Sequence, residues 1–456
     1  MGFPPQRQLG SWVMRKSEVV DLSAKSIFGD LAIWLKIGFL SFGGPAAQIA
    51  LMHREIVEKR RWLSEQQYLN ALSFCLLLPG PEAMQLATYV GWRRTGLAGG
   101  LLAGLIFIGP GALIILALAI IYIFFGQNLF LTSLFSGIKA AVIVIVLHSL
   151  LRIARRTMTD IGDWSVATLA FIGIFFLDLP FPLILLAAAI FGLFGKVRSE
   201  KGTAKEQANT VEPSATRTLV TVVIGLAIWL LPLLGIALLA GRTVLPELAQ
   251  FFTKLSVVTF GGAYAALAYM GQEVVNHHHW LSTPEMMDGL GLAETTPGPL
   301  ILVTEFVGFI AAYRDALSAS GGTAISTSPV IFGCVGALVT LWATFAPCFL
   351  WIFSAGPYVE WIVARPRLNN ALGGITAAIV GVIGNLSVWF ALHVFFADVN
   401  LVKRGMFQIL IPNLSSAEWG VLSIAFACGI LLFWRQWDSW RIIAIAAALG
   451  LGMNNF

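Results

Sequence analysis

The sequence predicts an all-α polytopic membrane protein built from two helical repeats of inverted topology, each containing re-entrant or broken helices. Three observations carry this reading. Charged residues make up 12% of the 456 positions and hydrophobic ones 57%, with a mean hydropathy of +0.82, whereas a soluble chain keeps roughly 25% charged residues. Apolar runs long enough to cross a bilayer recur along the chain, which makes lipid the solvent. Motifs also return at a constant spacing, the mark of an internal duplication.

Residues 1–27 are mixed polar, with Arg7, Arg15, Lys16, Glu18, Asp21 and Lys25. They lack the short apolar core of a cleaved signal peptide, so a cytoplasmic N-terminal segment and a retained first membrane segment are expected. The first repeat spans 28–195 and the second 247–456. Phe42-Gly43-Gly44 returns 218 residues later as Phe260-Gly261-Gly262, and the same offset carries Lys36 onto Lys254 and Glu55 onto Glu273. It also carries Trp62-Leu63-Ser64 onto Trp280-Leu281-Ser282 and Pro79-Gly80-Pro81 onto Pro297-Gly298-Pro299. The offset then becomes 237, matching Gly96 to Gly333, Gly99 to Gly336, Pro110 to Pro347 and Gly137-Ile138-Lys139-Ala140-Ala141 to Gly374-Ile375-Thr376-Ala377-Ala378. A last shift to 255 sets Trp164 on Trp419. The second copy has therefore gained residues in loops near 309–332 and 393–416.

Between the copies, 196–217 reads as a flexible polar linker. The apolar run 218–241 has no counterpart ahead of the first copy and is expected to be the transmembrane helix that turns the second copy over. The charges agree. The loop after the first Gly-Gly holds Arg54, Lys59, Arg60 and Arg61, while its counterpart 271–286 holds no Lys or Arg; conversely, 126–133 is uncharged and its counterpart carries Arg365 and Arg367. The positive-inside rule then gives the copies opposite orientations, the architecture of many secondary transporters.

Loops 52–68 and 91–96 are both basic, so the segment between them should enter and leave on one side. Its centre, Pro79-Gly80-Pro81, removes backbone donors and stops a helix, and ten residues on either side fall short of the ~20 needed to span the hydrocarbon core. A re-entrant hairpin follows, and Ser41-Phe42-Gly43-Gly44-Pro45 is expected to break its own segment in the same way. Interrupted backbone at membrane depth needs protein or a water-filled cavity around it. The resuming helix offers N–H groups and a positive dipole end, and glycine admits close approach. Four such breaks are expected to line a central anion site.

The anion-binding candidates are thus Ser41, Phe42, Gly43, Gly44, Pro79, Gly80 and Pro81 in the first copy. In the second they are Thr259, Phe260, Gly261, Gly262, Thr295, Thr296, Pro297, Gly298 and Pro299. The hydroxyls would either donate to an oxyanion or cap their own helices. Lys36 and Lys254 join this set: each costs on the order of 2.5–3.5 kcal/mol at a helix centre unless compensated, so their amines either counter an anion or reach a headgroup layer. Glu82, Glu294 and Glu305 flank the proline breaks and are the candidates for carrying a proton or setting charge, with Glu82 equally suited to cap the first turn of the helix after its break.

Other features read as structural. Cys75, Cys334, Cys348 and Cys428 lie in apolar stretches without a Cys-x-x-Cys and pack as small residues. Gly96, Gly100 and Gly104 form a small-residue face for close helix packing. Trp62 and Trp280 suit interfacial anchoring, His277-His278-His279 an exposed loop, and His148 a buried hydrogen bond. The net charge of +5 is spread over loops, which argues against nucleic acid as a partner. No His-Glu-x-x-His, Gly-x-Ser-x-Gly or Walker A sequence is present, so no enzyme, cofactor or metal is expected.

The runs Phe42-Gly43-Gly44-Pro45, Arg54-Glu55, Trp62-Leu63-Ser64, Pro79-Gly80-Pro81, Tyr89-Val90-Gly91-Trp92-Arg93, Phe260-Gly261-Gly262, Trp280-Leu281 and Glu294-Thr295-Thr296-Pro297-Gly298-Pro299 resemble the chromate ion transporter family in its long, two-repeat form. The resemblance implies a multi-pass protein of the bacterial inner membrane that exports chromate and confers chromate resistance, driven by the membrane potential or a proton gradient. Transport of sulfate or another inorganic anion, by carrier or channel, is the alternative, and a homodimer is one assembly consistent with it. Two positions depart from the pattern: Ala263 stands where the first copy has Pro45, and Leu76 occupies a place where the family favours glutamine.

Overall fold

The computed structural model describes residues 24–42, 44–125, 128–158, 160–177, 179–194, 215–260, 263–319, 328–359, 366–405, 407–435 and 437–453. The first repeat runs through α1 (Ala24–Leu40), α2 (Gly44–His53), α3 (Glu65–Leu77), α4 (Glu82–Phe125), α5 (Leu129–Thr157), α6 (Ile161–Phe175) and α7 (Phe181–Phe194). After α8 (Ala215–Leu239), the second repeat comprises α9 (Leu245–Val258), α10 (Ala263–Gln272), α11 (Thr283–Thr295), α12 (Val303–Ala319), α13 (Pro329–Ala355), α14 (Pro366–Phe395), α15 (Trp419–Gly429) and α16 (Ser439–Met453).

The duplication extends to backbone detail. Both α2 and α10 run on into a π-helical turn, Arg54–Lys59 and Glu273–His277. Each copy then places a non-glycine residue in the left-handed region, Arg61 and His279, both at φ 53° and 218 positions apart. Ser64 and Ser282 each close a capping box on the next helix, which satisfies orphan N–H groups at equivalent starts.

Helix α4 is two helices. At Thr95 (φ −132°) and Gly96 (φ 73°) the chain leaves helical geometry, and the 82–94 arm folds back on the 97–125 arm. A side chain on Gly91 would collide with the Gly99 carbonyl, so glycine sets this crossing. In the second copy Gly308 of α12 and Gly336 of α13 meet in the same way, across a longer connection that holds the expected insertion near 309–332. Gly100 and Gly104 face Phe353 and Phe349 of α13, the packing role read from their spacing.

Among the described residues, five helical stretches are long and apolar enough to cross a membrane: Glu82–Phe125, Ser133–Arg155, Ala215–Leu239, Pro329–Tyr358 and Gly373–Phe395. Only 11% of the apolar window of α8 is buried, so this helix lies at the periphery, fixed to α13 where the Trp342 indole N–H donates to the Trp229 carbonyl at 3.1 Å. The core is instead built by exchange between copies. Gly137 of α5 sits against Ala446 and Gly450 of α16, and Gly374 of α14 sits against Ala188 and Gly192 of α7. Gly137 and Gly374 are repeat equivalents, so one helix of each copy is completed by the other copy's last helix.

One element departs from the all-α expectation. The insertion near 393–416 forms an antiparallel hairpin, β1 (Val399–Arg404) with β2 (Phe407–Pro412), registered Val399 to Pro412 and Arg404 to Phe407. Its β-branched residues Val399, Val402, Ile409 and Ile411 suit a half-covered ladder, and burial alternates along β2. The Gln408 N–H donates to the Phe176 carbonyl at 2.8 Å, tying the insertion to the first copy.

Candidate functional site

Both proline breaks are real interruptions. Between α3 and α4, Leu78-Pro79-Gly80-Pro81 is non-helical, and Gly80 has φ +115°; between α11 and the 3-10 turn Leu300–Leu302, Gly298 has φ +98°. The chain reverses at each. Phe74 and Tyr89 bring their rings to 6.1 Å across the first break, a contact that collinear helices fifteen residues apart cannot make, since they would separate by about 20 Å. Across the second, Phe306 of α12 lies where a side chain on Gly289 of α11 would project. The Gly-Gly motif breaks its segment too: Ser41 and Phe42 are non-helical, Gly44 has φ +75°, and Lys36 reaches back to Glu55 at 3.0 Å.

The breaks of one copy dock on those of the other. The Gly80 N–H donates to the Thr259 carbonyl at 2.7 Å, and the Gly298 N–H donates to the Ser41 carbonyl at 3.0 Å. Gly80 and Gly298 are repeat equivalents, as are Ser41 and Thr259, so the two hydrogen bonds are related by the internal symmetry. Gln48 locks one of them, its Nε2 donating to the Gly298 carbonyl at 2.6 Å and to the Ser41 carbonyl at 3.1 Å. Pro297 lies against Gly111, midway along the 97–125 arm, and Gly80 lies against Cys348 of α13, so the crossing sits at half-depth of two helices long enough to span a membrane.

This docking alters the role expected of the glycine amides. Read from sequence, they stand open to an anion; in the fold the Gly80 and Gly298 amides join the copies. The hydroxyls likewise turn inward on their own helices. Ser41 Oγ donates to the Ile37 carbonyl and Thr259 Oγ1 to the Leu255 carbonyl, both at 2.5 Å, and Thr295 and Thr296 donate to Leu292 and Ala293. Pro79, Pro81, Pro297 and Pro299 are buried at the crossing, and Phe42 and Phe260 keep partial exposure. Gly43, Gly261 and Gly262 lie outside the described residues.

Lys36 and Lys254 each have a partner within their own copy. Glu55, fully buried, takes Lys36 at 3.0 Å, Lys59 at 2.8 Å and Arg60 at 2.6 Å, and these cations, the Lys59 hydrogen bond foremost, pull its carboxyl down to about 2 against the opposing effect of burial. Its contribution to stability is therefore present above the ordinary carboxylate range and is lost as pH falls towards 2. Lys254 Nζ instead lies 5.7 Å from the Tyr269 ring centre. Because Lys36 is half exposed and Glu55 keeps two other cations, Lys36→Ala is expected to cost at most ~1 kcal/mol and to leave transport in membrane vesicles near the wild-type rate; a large loss would return Lys36 to the anion path.

The three acids that flank the proline breaks in sequence are all buried. Glu82 and Glu305 are buried, each with Oε2 unpartnered among the described residues, as are Gln48 Oε1 and Gln85 Oε1. Buried acceptors of this kind carry a cost until a proton or a ligand meets them. Glu294 accepts from the Tyr264 hydroxyl at 3.0 Å, and Ser149 of α5 donates to Tyr264 at 3.2 Å. The Tyr264 hydroxyl also lies over Gly44, so Glu294 reaches the first copy's break through Tyr264.

Several residues escaped the sequence reading. Lys139 Nζ is 2.9 Å from Asp288 Oδ1, and the Tyr122 hydroxyl donates to Asp288 Oδ2 at 2.8 Å, a buried cluster joining α5, α4 and α11. A lysine inside an apolar run was the available signal. Trp280, expected as an interfacial anchor, is buried and stacks on His278 with centroids 4.2 Å apart. A cavity of about 1120 Å³ reaches the first Gly-Gly break at Leu40 and Phe42 and is walled by Arg54, Arg152 and Arg155.

A family profile described as "Chromate transporter" matches residues 31–193 and 246–451, one match for each repeat. A "Probable chromate transport protein" of Synechococcus elongatus is 30% identical over 356 residues, 78% of this chain and 82% of the relative. "Chromate transport protein" sequences of Cupriavidus metallidurans and Pseudomonas aeruginosa are each 28% identical over 92% of this chain and 91% and 90% of their own lengths. No solved structure matches.

Proposed function

Because this multi-pass membrane chain belongs to the chromate transporter family, we propose that it is a secondary transporter that exports chromate across the bacterial inner membrane through the crossing of its four helix breaks. The observation that carries this is the reciprocal pair of hydrogen bonds from Gly80 to Thr259 and from Gly298 to Ser41. Interrupted backbone from both copies meets at half-depth, the place and form of the binding site in transporters with internal repeats. The opposite charge of equivalent loops and the single extra crossing α8 support an inverted relation between the copies. Chromate carries two negative charges, and an interior-negative potential favours its exit by about 2.3 kcal/mol per charge per 100 mV. Glu82 and Glu305, buried and with no hydrogen bond at Oε2 among the described residues, are the proposed carriers if a proton is exchanged. Sulfate, of the same shape and charge, is the competing substrate.

Everted vesicles are expected to accumulate radiolabelled chromate, to lose that uptake with an uncoupler, and to be inhibited weakly by excess sulfate. Uptake of sulfate with chromate ignored would reassign the substrate. For orientation, single cysteines at Glu58 and Asn276, both exposed, are expected to react with an impermeant maleimide from opposite faces. Labelling from the same face would remove the inversion.

A further inference from the structure

Two cavities among the described residues are repeat equivalents of one another, and their linings differ systematically in charge. The wide cavity of about 1120 Å³ is lined by Leu51, Arg54, His148, Leu432 and Trp437; a narrow one of about 210 Å³ is lined by Tyr269, Gln272, Asn385, Ile174 and Leu179. The first two pairs are 218 apart and the third 237; the last two are 258 apart, the spacing of Gly192 in α7 and Gly450 in α16, three residues beyond the 255 that sets Trp164 on Trp419. Each cavity flanks one copy's α2-type helix and its π-turn. The symmetry that doubles the crossing therefore doubles the cavity beside each of these helices; the wide one reaches a break, at Leu40 and Phe42, and the narrow one stops short of its equivalent.

Arg54, Arg152 and Arg155 wall the wide cavity; their equivalents are Gln272, Trp389 and Leu392. His148, Arg152 and Arg155 follow at i, i+4 and i+7 on α5, one face of a helix. Among the described residues none of the three arginines pairs with a carboxylate, and the one acid in the wall, Asp438, lies 3.6 Å from Arg441. The neighbouring Glu55 is withdrawn into its own three cations and does not line this cavity. Its equivalent Glu273 does line the narrow one, beside His277 at 3.3 Å.

Accepting the transport reading above, we propose that the wide cavity is the capture vestibule for a tetrahedral oxyanion dianion on the cytoplasmic face, with Arg54, Arg152 and Arg155 as its anion-binding residues. The narrow cavity, its equivalent on the opposite face, is the release route in a closed state. A cleft lined by one sign of charge raises the local concentration of the opposite ion, so the basic wall loads the dianion towards Leu40 and Phe42. A release route bearing Glu273 and no arginine does not hold the anion back. The asymmetry thus favours loading from the basic vestibule, while the membrane potential or a coupled ion sets the net direction.

The test replaces all three arginines by glutamine. Because each is exposed, the triple variant is expected to insert normally, and a lysine triple variant preserves the charge. In everted vesicles the glutamine variant should raise the KM for chromate about tenfold or more, the scale of losing charge-assisted contacts, with the maximal rate largely kept. The salt dependence of KM should flatten as well, and the lysine variant should recover most of both. An unchanged KM and salt dependence in the glutamine variant overturns the vestibule. Equilibrium dialysis of chromate against purified protein separates this from the function reading. Should wild-type vesicles move no oxyanion, that reading fails by itself, while equal chromate binding by wild type and the glutamine variant still overturns the vestibule.

Discussion

Gly80→Ala and Gly298→Ala are each expected to abolish transport and to lower the thermal stability of the purified protein. Both glycines hold φ values, +115° and +98°, that side chains rarely adopt, a backbone strain of about 1–3 kcal/mol for any other residue. Neither site has room. A Cβ on Gly80 would lie 2.8 Å from Cys348 Sγ, and one on Gly298 would lie 2.9 Å from Leu302 Cδ1. The substitution therefore moves the amides that bind Thr259 and Ser41 across the repeat boundary. Two controls separate these causes. Gly96→Ala carries positive φ but meets nothing within 4 Å, so it should lose some stability and keep transport. Gly109→Ala has open space and no positive φ, and should be neutral. Transport by Gly80→Ala and Gly298→Ala at the level of Gly109→Ala would show that the crossing is not the working part of the molecule.

Removing either partner of the Lys139–Asp288 pair is expected to destabilise the protein by about 3–5 kcal/mol, because the remaining group is left as an uncompensated buried charge. The side chains are 19% and 8% exposed. Asp288 also takes the Tyr122 hydroxyl, so Asp288→Asn should be milder than Asp288→Ala, since the amide keeps an acceptor for Tyr122. The double variant Lys139→Met/Asp288→Leu, with no charge left to bury, should recover most of the loss seen in either single variant. Thermal melts in detergent, with membrane levels measured alongside, read all four. Single variants as stable as wild type would mean that water reaches this cluster. The second copy has Thr376 where the first has Lys139, so this reinforcement belongs to one half only.

The helix breaks were legible because proline and glycine act on their own backbone. A missing donor at Pro79 and Pro81, or a positive φ at Gly80 and Gly298, needs no tertiary information, and the equal spacing of both motifs announced a second copy of the same interruption. The partner of each break was not legible. A carbonyl such as that of Thr259 carries no side-chain signature, and only packing decides that Gly80 meets it. Lys36 shows the same limit for charge. Its place in an apolar run was plain, but whether its amine meets an anion or Glu55 depends on the reversal that brings residues nineteen apart together. The hairpin at 399–412 was seen as inserted residues, and its alternating strands passed unread because short segments of that kind are ambiguous by pattern.

The sequence alone determined that the chain is a duplicated, lipid-dissolved helical protein with paired interruptions, since composition, repetition and backbone restriction are properties of single residues and their order. The tertiary structure alone decided that the copies exchange partners, with each proline break docked on the opposing Gly-Gly break and each middle helix completed by the other copy's last one. It also decided which buried charges are neutralised and which arginines face open space. Those outcomes arise from contacts between segments far apart in the chain, whose free energy exists only after both have folded into place.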